Sequence, residues 1–194
     1  MRDKWEWFFD KLKENIGFLR KFLQNPEQNA SVRPTTNKTA DMICESIQRE
    51  DIKTIIELWP GTWPVTKYIV KKTNNKVKYY GIDLEQEYID KLQKKYQWTK
   101  NMQFIHSSIA KLQEIINTNN IERIDVIIST LPYLAFVKNP EALATIKRLT
   151  DQWTIFRWIS YYPPAFNKTF KTLNPKIIGH TRQNIPYVFI HWVN

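Results

Sequence analysis

The chain has 194 residues, enough for one domain with a substantial core, and its 42% hydrophobic and 14% aromatic content excludes a disordered chain. One cysteine, Cys44, excludes an intramolecular disulfide, and three scattered histidines argue against a metal site. The formal net charge of +10 favours an anionic partner, either nucleic acid or an acidic membrane surface, without choosing between them.

Residues 1–24 are predicted to form a basic amphipathic helix. Its apolar residues recur at three- and four-residue spacing with lysine and arginine between them: Trp5, Phe8, Phe9, Leu12, Ile16, Leu19, Phe22 and Leu23. Such a helix lies on anionic lipid or packs against its own domain, and both interpretations stay open. A connector rich in turn-forming residues follows, so we expect residues 1–36 to be separate from a domain spanning 37–194.

From residue 37 onward, apolar runs alternate with segments of helical spacing. The predicted strands are 55–58, 77–82, 102–105, 124–128 and 154–159, with closing antiparallel strands at 176–178 and 187–192. The predicted helices are 40–50, one through 65–70, 87–96, 109–116 and 140–149, with a short amphipathic segment at 166–173. This alternation predicts an α/β fold, a three-layer α/β/α sandwich of Rossmann-like type with a mostly parallel, seven-stranded sheet.

The segment 54–83 contains the clearest functional pattern. It reads as a strand, a tight turn, a helix and a second strand that ends on an acid, Asp83. This layout is typical of the nucleoside-binding half of a doubly wound sheet. The turn brings backbone N–H groups and a helix N-terminus towards the ligand, and a carboxylate suits ribose hydroxyl groups. The turn pattern requires glycine at two positions where the chain has Trp59 and Trp63.

Written with glycine at those two positions, the turn resembles the nucleotide loop of S-adenosylmethionine (SAM) methyltransferases. Nearly the whole chain resembles one group of them, the bacterial phospholipid N-methyltransferases. Three pieces carry the resemblance, namely 18–26 with 31–36, 129–136, and 184–188. The rRNA adenine dimethyltransferase family shares the core and has Asn-Leu-Pro-Tyr after its fourth strand. Here Leu131 to Tyr133 fit that motif, but Ser129 and Thr130 supply no asparagine.

The resemblance implies SAM as the cofactor and assigns a role to each matching position. Glu57 orders the loop and the methionine end of SAM, and Asp83 binds the ribose hydroxyl groups. The remaining contacts are with methionine and ribose (Trp59, Pro60, Gly61, Thr62, Trp63), with adenine (Leu84, Ser108, Ile109) and near the transferred methyl group (Ser129, Leu131). Three tyrosines are candidates for receiving the amine proton or holding a methylated ammonium, with no catalytic base assigned: Tyr133, Tyr161 and Tyr162.

The implied activity is N-methylation of phosphatidylethanolamine. The alternatives are N6-methylation of rRNA adenine, and a degenerate fold that only binds anionic membrane or RNA. No apolar run approaches the roughly 18 residues that cross a bilayer. We therefore expect a cytoplasmic protein, peripheral on the inner face of the membrane, with a phospholipid substrate. RNA remains a possible partner.

Glycine and tryptophan are present in unusual numbers. The chain has four glycines, where ordinary usage gives about 14, and eight tryptophans. Trp59 and Trp63 occupy positions expected to be glycine, and Trp98 and Trp153 occupy similar loop positions. Some bacterial lineages read the codon UGA as glycine, and translating it as tryptophan would give this pattern. We therefore hypothesise that these four residues are glycine in the living protein.

Overall fold

The computed structural model describes residues 35–45, 47–62, 64–160, 170–181 and 188–194. The predicted basic helix over 1–24 lies outside the described residues, as do Trp63, Tyr161 and Tyr162. The backbone of Tyr133 is described, but its side chain is not.

One sheet of seven strands runs through the described part of the chain. The strands are β1 (Thr54–Leu58), β2 (Lys78–Asp83), β3 (Met102–His106), β4 (Val126–Ser129), β5 (Ile155–Ser160), β6 (Lys176–Thr181) and β7 (Val188–Val193). Their order is β3-β2-β1-β4-β5-β7-β6. The first five are parallel, and β7 is antiparallel to both β5 and β6. The mostly parallel, seven-stranded sheet predicted from the sequence is confirmed.

The helices cover both faces of this sheet. They are α1 (Asn37–Ile43), α2 (Pro64–Thr73), α3 (Gln86–Lys95), α4 (Leu112–Thr118), α5 (Tyr133–Lys138) and α6 (Pro140–Asp151), with 3₁₀ turns at Ile109–Lys111 and Lys171–Leu173. Alternate strand residues divide between two apolar clusters. Ile56 and Leu58 pack with residues of α4 and α6, whereas Ile55 packs with residues of α1, α2 and α3. These two clusters are the cores of a three-layer α/β/α sandwich.

Helix α1 differs from the prediction at both ends. It begins three residues earlier than predicted because Thr36 caps it, with Oγ1 accepting from the Thr39 amide at 3.3 Å. It ends at Ile43, where the predicted helix continued to residue 50. The buried Arg157 of β5 donates hydrogen bonds to the backbone oxygens of Ile43 and Glu45. These contacts satisfy carbonyl groups that a longer helix would have bonded internally.

Two other differences from the prediction lie at the start and at the end of β4. β4 begins at Val126, two residues later than predicted, and just before it the Asp125 carboxylate accepts from the amides of Lys53 and Thr54. Helix α5 lies where the sequence predicts a loop after β4. Within the described ranges, no helix has the length and apolar character required to cross a membrane.

Candidate functional site

The carboxyl ends of β1, β2 and β4 meet at one edge of the sheet. The chain leaves β1 towards β2 and leaves β4 towards β5, in opposite directions, and open α/β sheets bind ligands in the crevice between two such strands. Leu58 is level with Ile82 of β2 and Ser129 of β4. The loops that follow these strands therefore share one crevice, and most of the predicted site residues lie on them.

The loop after β1, residues 59–62, is fastened to both neighbouring strands. The Trp59 amide donates to the Ile82 oxygen at 2.8 Å, and the Trp59 oxygen accepts from the Thr130 hydroxyl at 2.8 Å. The Gly61 amide donates to the Asp83 carboxylate at 2.9 Å. These three bonds hold the loop backbone across the edge of the sheet.

The same loop uses backbone conformations that favour glycine. Gly61 has φ of 50° and Trp59 has φ of 69°. A Cβ at Gly61 would meet nothing nearer than the Trp59 oxygen at 4.0 Å, so conformation and not space selects glycine there. Trp59 has the conformation that the pattern assigned to glycine, but with an indole side chain. The glycine that the turn pattern requires at position 59 is therefore also the residue that the backbone conformation favours there.

Glu57 is fully buried next to the end of β1. One carboxylate oxygen, Oε2, accepts from the Tyr79 hydroxyl at 2.6 Å and from the Thr66 hydroxyl at 2.8 Å. The other, Oε1, is buried and has no hydrogen-bond partner among the described residues. Burial raises the pKa of Glu57 from 4.5 to about 7, against the opposing effect of the two hydroxyl groups. This environment would favour a cation beside Oε1.

Asp83 is buried at the end of β2, where its carboxylate organises two turns. Oδ2 accepts from the Gly61 amide and Oδ1 accepts from the Glu85 amide at 3.0 Å. Burial raises the pKa of Asp83 while these amide bonds lower it. Each oxygen keeps a further lone pair, so the carboxylate can still accept from ribose hydroxyl groups. Ribose binding by Asp83 stays a prediction.

The predicted adenine contacts differ from one another in exposure. Leu84 is exposed directly after Asp83, and its oxygen is 2.8 Å from Nε2 of the exposed His106. The Ser108 hydroxyl caps the 3₁₀ turn by accepting from the Ala110 amide at 3.2 Å. Ile109 is buried in the core on the α4 side of the sheet. The exposed Leu84 side chain is thus the available apolar contact for a base, and the Ser108 hydroxyl hydrogen remains available for a ligand.

The loop after β4 forms its own hydrogen bonds. Ser129 Oγ accepts from the Leu131 amide at 3.2 Å, and the Thr130 hydroxyl donates to Trp59. Leu131 is partly buried against the core, and Tyr133 begins α5 two residues later. Neither hydroxyl group matches the side-chain amide found at this position in the adenine-modifying family.

Sequence reasoning missed three residues of this site. Thr66 and Tyr79 hold Glu57, and Thr130 holds the loop at Trp59. The sequence contained one signal for Tyr79, because a glycine inside a buried strand marks a close approach. A Cβ at Gly81, two residues along β2, would lie 2.8 Å from the Tyr79 hydroxyl.

Comparisons with known proteins show the family and the fold of this chain. The model of a family described as UPF0020, RMKL-like, methyltransferase domain, matches residues 19–154. A curated relative, the ornithine lipid N-methyltransferase of Singulisphaera acidiphila, is 21% identical over 162 residues, which cover 82% of this chain and 84% of the relative.

Solved structures share the fold at low identity. TrmN from Thermus thermophilus aligns with a TM-score of 0.62 and 10% identity, covering 85% of this chain. The chain spans about half of that protein, since the alignment covers 51% of it. TrmK from M. capricolum, solved with S-adenosyl-homocysteine, aligns with a TM-score of 0.56 and 15% identity over 82% of this chain and 69% of its own.

Proposed function

The chain belongs to the family of RMKL-like methyltransferase domains (UPF0020) and is a class I SAM-dependent methyltransferase, and on that premise we propose that it methylates the amine of a lipid head group. The specific substrate we propose is phosphatidylethanolamine, at an anionic membrane surface. Two observations support a lipid amine over an RNA base: the loop after β4, and the lipid N-methyltransferase that matches most of this chain.

The described residues fit SAM in their chemistry. The unpartnered Glu57 oxygen suits the ammonium group of the methionine moiety, and Asp83 suits the ribose. When bound, SAM supplies a methyl group activated by a sulfonium sulfur. The protein contributes proximity and alignment, because methyl transfer to an amine is an in-line displacement. The indole of Trp59 is the feature that does not fit a loop of this kind.

The loop after β4 is the observation that carries the lipid proposal. A side-chain amide there would accept from the adenine amino group, as the resemblance to the adenine family requires. This chain has Ser129, whose hydroxyl oxygen is bonded to the Leu131 amide, and Thr130, whose hydroxyl is bonded to Trp59. Both hydroxyl groups stabilise the loop and keep an acceptor lone pair, but a hydroxyl group substitutes poorly for the side-chain carbonyl that accepts from the adenine amino group.

A membrane partner is consistent with the charge of the chain. The net charge of +10 attracts anionic lipid, and the basic aromatic pattern in 1–24 is typical of an interfacial helix. A lipid amine must lose its proton before it attacks the methyl group. Tyr133, at the start of α5, and Tyr161 and Tyr162, after β5, remain the candidates for receiving that proton or holding the methylated product by cation–π attraction.

The test is methyl transfer from labelled SAM to three acceptors. These are anionic vesicles containing phosphatidylethanolamine, anionic vesicles containing an ornithine lipid, and an adenine-containing rRNA fragment. Vesicles of phosphatidylglycerol and phosphatidylcholine serve as the control without a free amine. Because the loop is in question, the assay uses both the unchanged chain and the variant Trp59→Gly/Trp63→Gly.

We expect label in the phosphatidylethanolamine fraction. Label in the ornithine lipid alone would keep the lipid class and overturn the head group. Label in RNA alone would overturn the lipid proposal in favour of adenine methylation. Anionic vesicle binding with no transfer to any acceptor by either protein would favour the non-catalytic binder.

A further inference from the structure

Two tryptophans have a backbone conformation that is otherwise restricted to asparagine and glycine in the described part of the chain. Seven non-glycine residues there have positive φ: Asn74, Asn75, Asn120, Asn174, Asn194, Trp59 and Trp153. Asparagine tolerates this region because its short polar side chain bonds locally. A bulky residue there is an outlier, and Trp59 and Trp153 lie well inside the region at φ of 69° and 74°.

Packing does not explain Trp153 as it explains Trp158 of β5. Trp158 of β5 is 0% exposed and stacks on Phe156, Phe170 and His191 at ring distances of 4.7–4.9 Å. Trp153, by contrast, is 83% exposed in the turn between α6 and β5. Its indole buries little apolar surface that could compensate for a strained backbone.

We propose that positions 59 and 153 are glycine in the protein as its own cell makes it, encoded by UGA codons. The chain has four glycines, about ten fewer than ordinary usage predicts, so the missing glycines coincide with glycine-like backbone. The strand residue Trp158 is a genuine tryptophan encoded by UGG. The backbone gives no reason for glycine at Trp98, which is 86% exposed but is not among the residues with positive φ.

The proposal has a consequence for the site, and this consequence rests on the proposed function. The amide and oxygen of residue 59 are bonded to Ile82 and Thr130, and a glycine has the same two backbone groups. Glycine there could make the same two backbone bonds and would remove the indole from the loop. The chain with glycine should then bind SAM more tightly than the chain with Trp59.

The direct test is to sequence the gene and to measure peptide masses of the native protein. We expect UGA at codons 59 and 153 and UGG at codon 158. In protein isolated from cells that carry the gene, the tryptic peptides 54–67 and 149–157 should each be lighter than the mass calculated from the printed sequence, by the difference between tryptophan and glycine. Peptide 54–67 should show this difference twice if residue 63 is also glycine. Peptide 158–168 should keep the mass of tryptophan. UGG codons or tryptophan masses at 59 and 153 would overturn the proposal, whatever the enzyme methylates.

A stability measurement tests the backbone argument separately. Trp153→Gly and Trp153→Ala both remove the exposed indole, and only alanine keeps a Cβ at positive φ. We expect the melting temperature of the glycine variant to exceed that of the alanine variant by about 2–4 °C. At the control position, Trp98→Ala should be at least as stable as Trp98→Gly. An alanine variant as stable as the glycine variant at 153 would refute the strain argument.

Discussion

Glu57 and His191 should give the stability of the fold opposite dependences on pH. In the folded protein, burial raises the pKa of Glu57 from 4.5 to about 7, so the folded state binds more protons than the unfolded state between these values. The free energy of unfolding therefore falls as the pH rises from 4.5 to 7. Because one pKa unit corresponds to about 1.4 kcal/mol, the loss from Glu57 is roughly 3 kcal/mol.

His191 acts in the opposite direction. It is buried in β7, where its ring stacks on Trp158 and its Nε2 lies 2.7 Å from the Ser160 hydroxyl oxygen. Burial lowers its pKa from 6.5 to about 4, so the unfolded state binds more protons between these values. The free energy of unfolding then rises by roughly 3 kcal/mol as the pH rises from 4 to 6.5. Between pH 4.5 and 6.5 the two effects cancel.

Removing either group alone should leave the pH dependence of the free energy of unfolding that the other group contributes. Urea unfolding at intervals from pH 4 to 8 gives the free energy of unfolding at each pH. Glu57→Gln should become more stable by roughly 3 kcal/mol from pH 4 to 6.5, and His191→Gln should become less stable by roughly 3 kcal/mol from pH 4.5 to 7. Because the pKa of Asp83 is also raised, the free energy of unfolding of every variant should fall further as the pH rises at the acid end of the range.

The double variant Glu57→Gln/His191→Gln is the internal control, because it should again lack both slopes. The comparison depends on slopes and not on absolute stability, so a uniform loss in any variant does not affect it. Single variants whose curves run parallel to that of the unchanged chain would show that neither group has the pKa assigned to it.

Two further predictions concern the contacts that hold the site together. Gly81→Ala should lower the free energy of unfolding by about 1–3 kcal/mol in urea denaturation, because its Cβ would lie 2.8 Å from the Tyr79 hydroxyl. Gly179→Ala, whose Cβ would meet only the flexible end of a methionine closely, is the matched control and should cost less; equal losses would refute the packing argument. Thr130→Val should lose about 1 kcal/mol because the Trp59 oxygen loses its donor, and Thr130→Ser should retain most of the stability. Equal losses in both Thr130 variants would show that the hydroxyl group is not what matters.

The sequence by itself determined the architecture and the edge of the sheet at which the candidate site lies. The alternation of apolar runs with helical spacing predicted seven strands and a three-layer sandwich, and the structure has both. Asp83 and Gly61 could be singled out because a strand end and a turn are local features, readable from a few neighbouring residues. The surplus of tryptophan at glycine positions was likewise visible in composition and motif spacing.

Only the tertiary structure decided which residues surround the functional groups. Thr66 and Tyr79 reach Glu57 from 9 and 22 residues away, and Arg157 reaches the end of α1 from 114 residues away at Ile43. No local pattern contains such pairs, because they arise when separate strands and helices are packed together. Backbone conformation likewise distinguished Trp153 from Trp98, two exposed loop tryptophans that looked alike in the sequence. The sign of φ depends on how each turn connects to the packed elements around it, which periodicity and composition do not record.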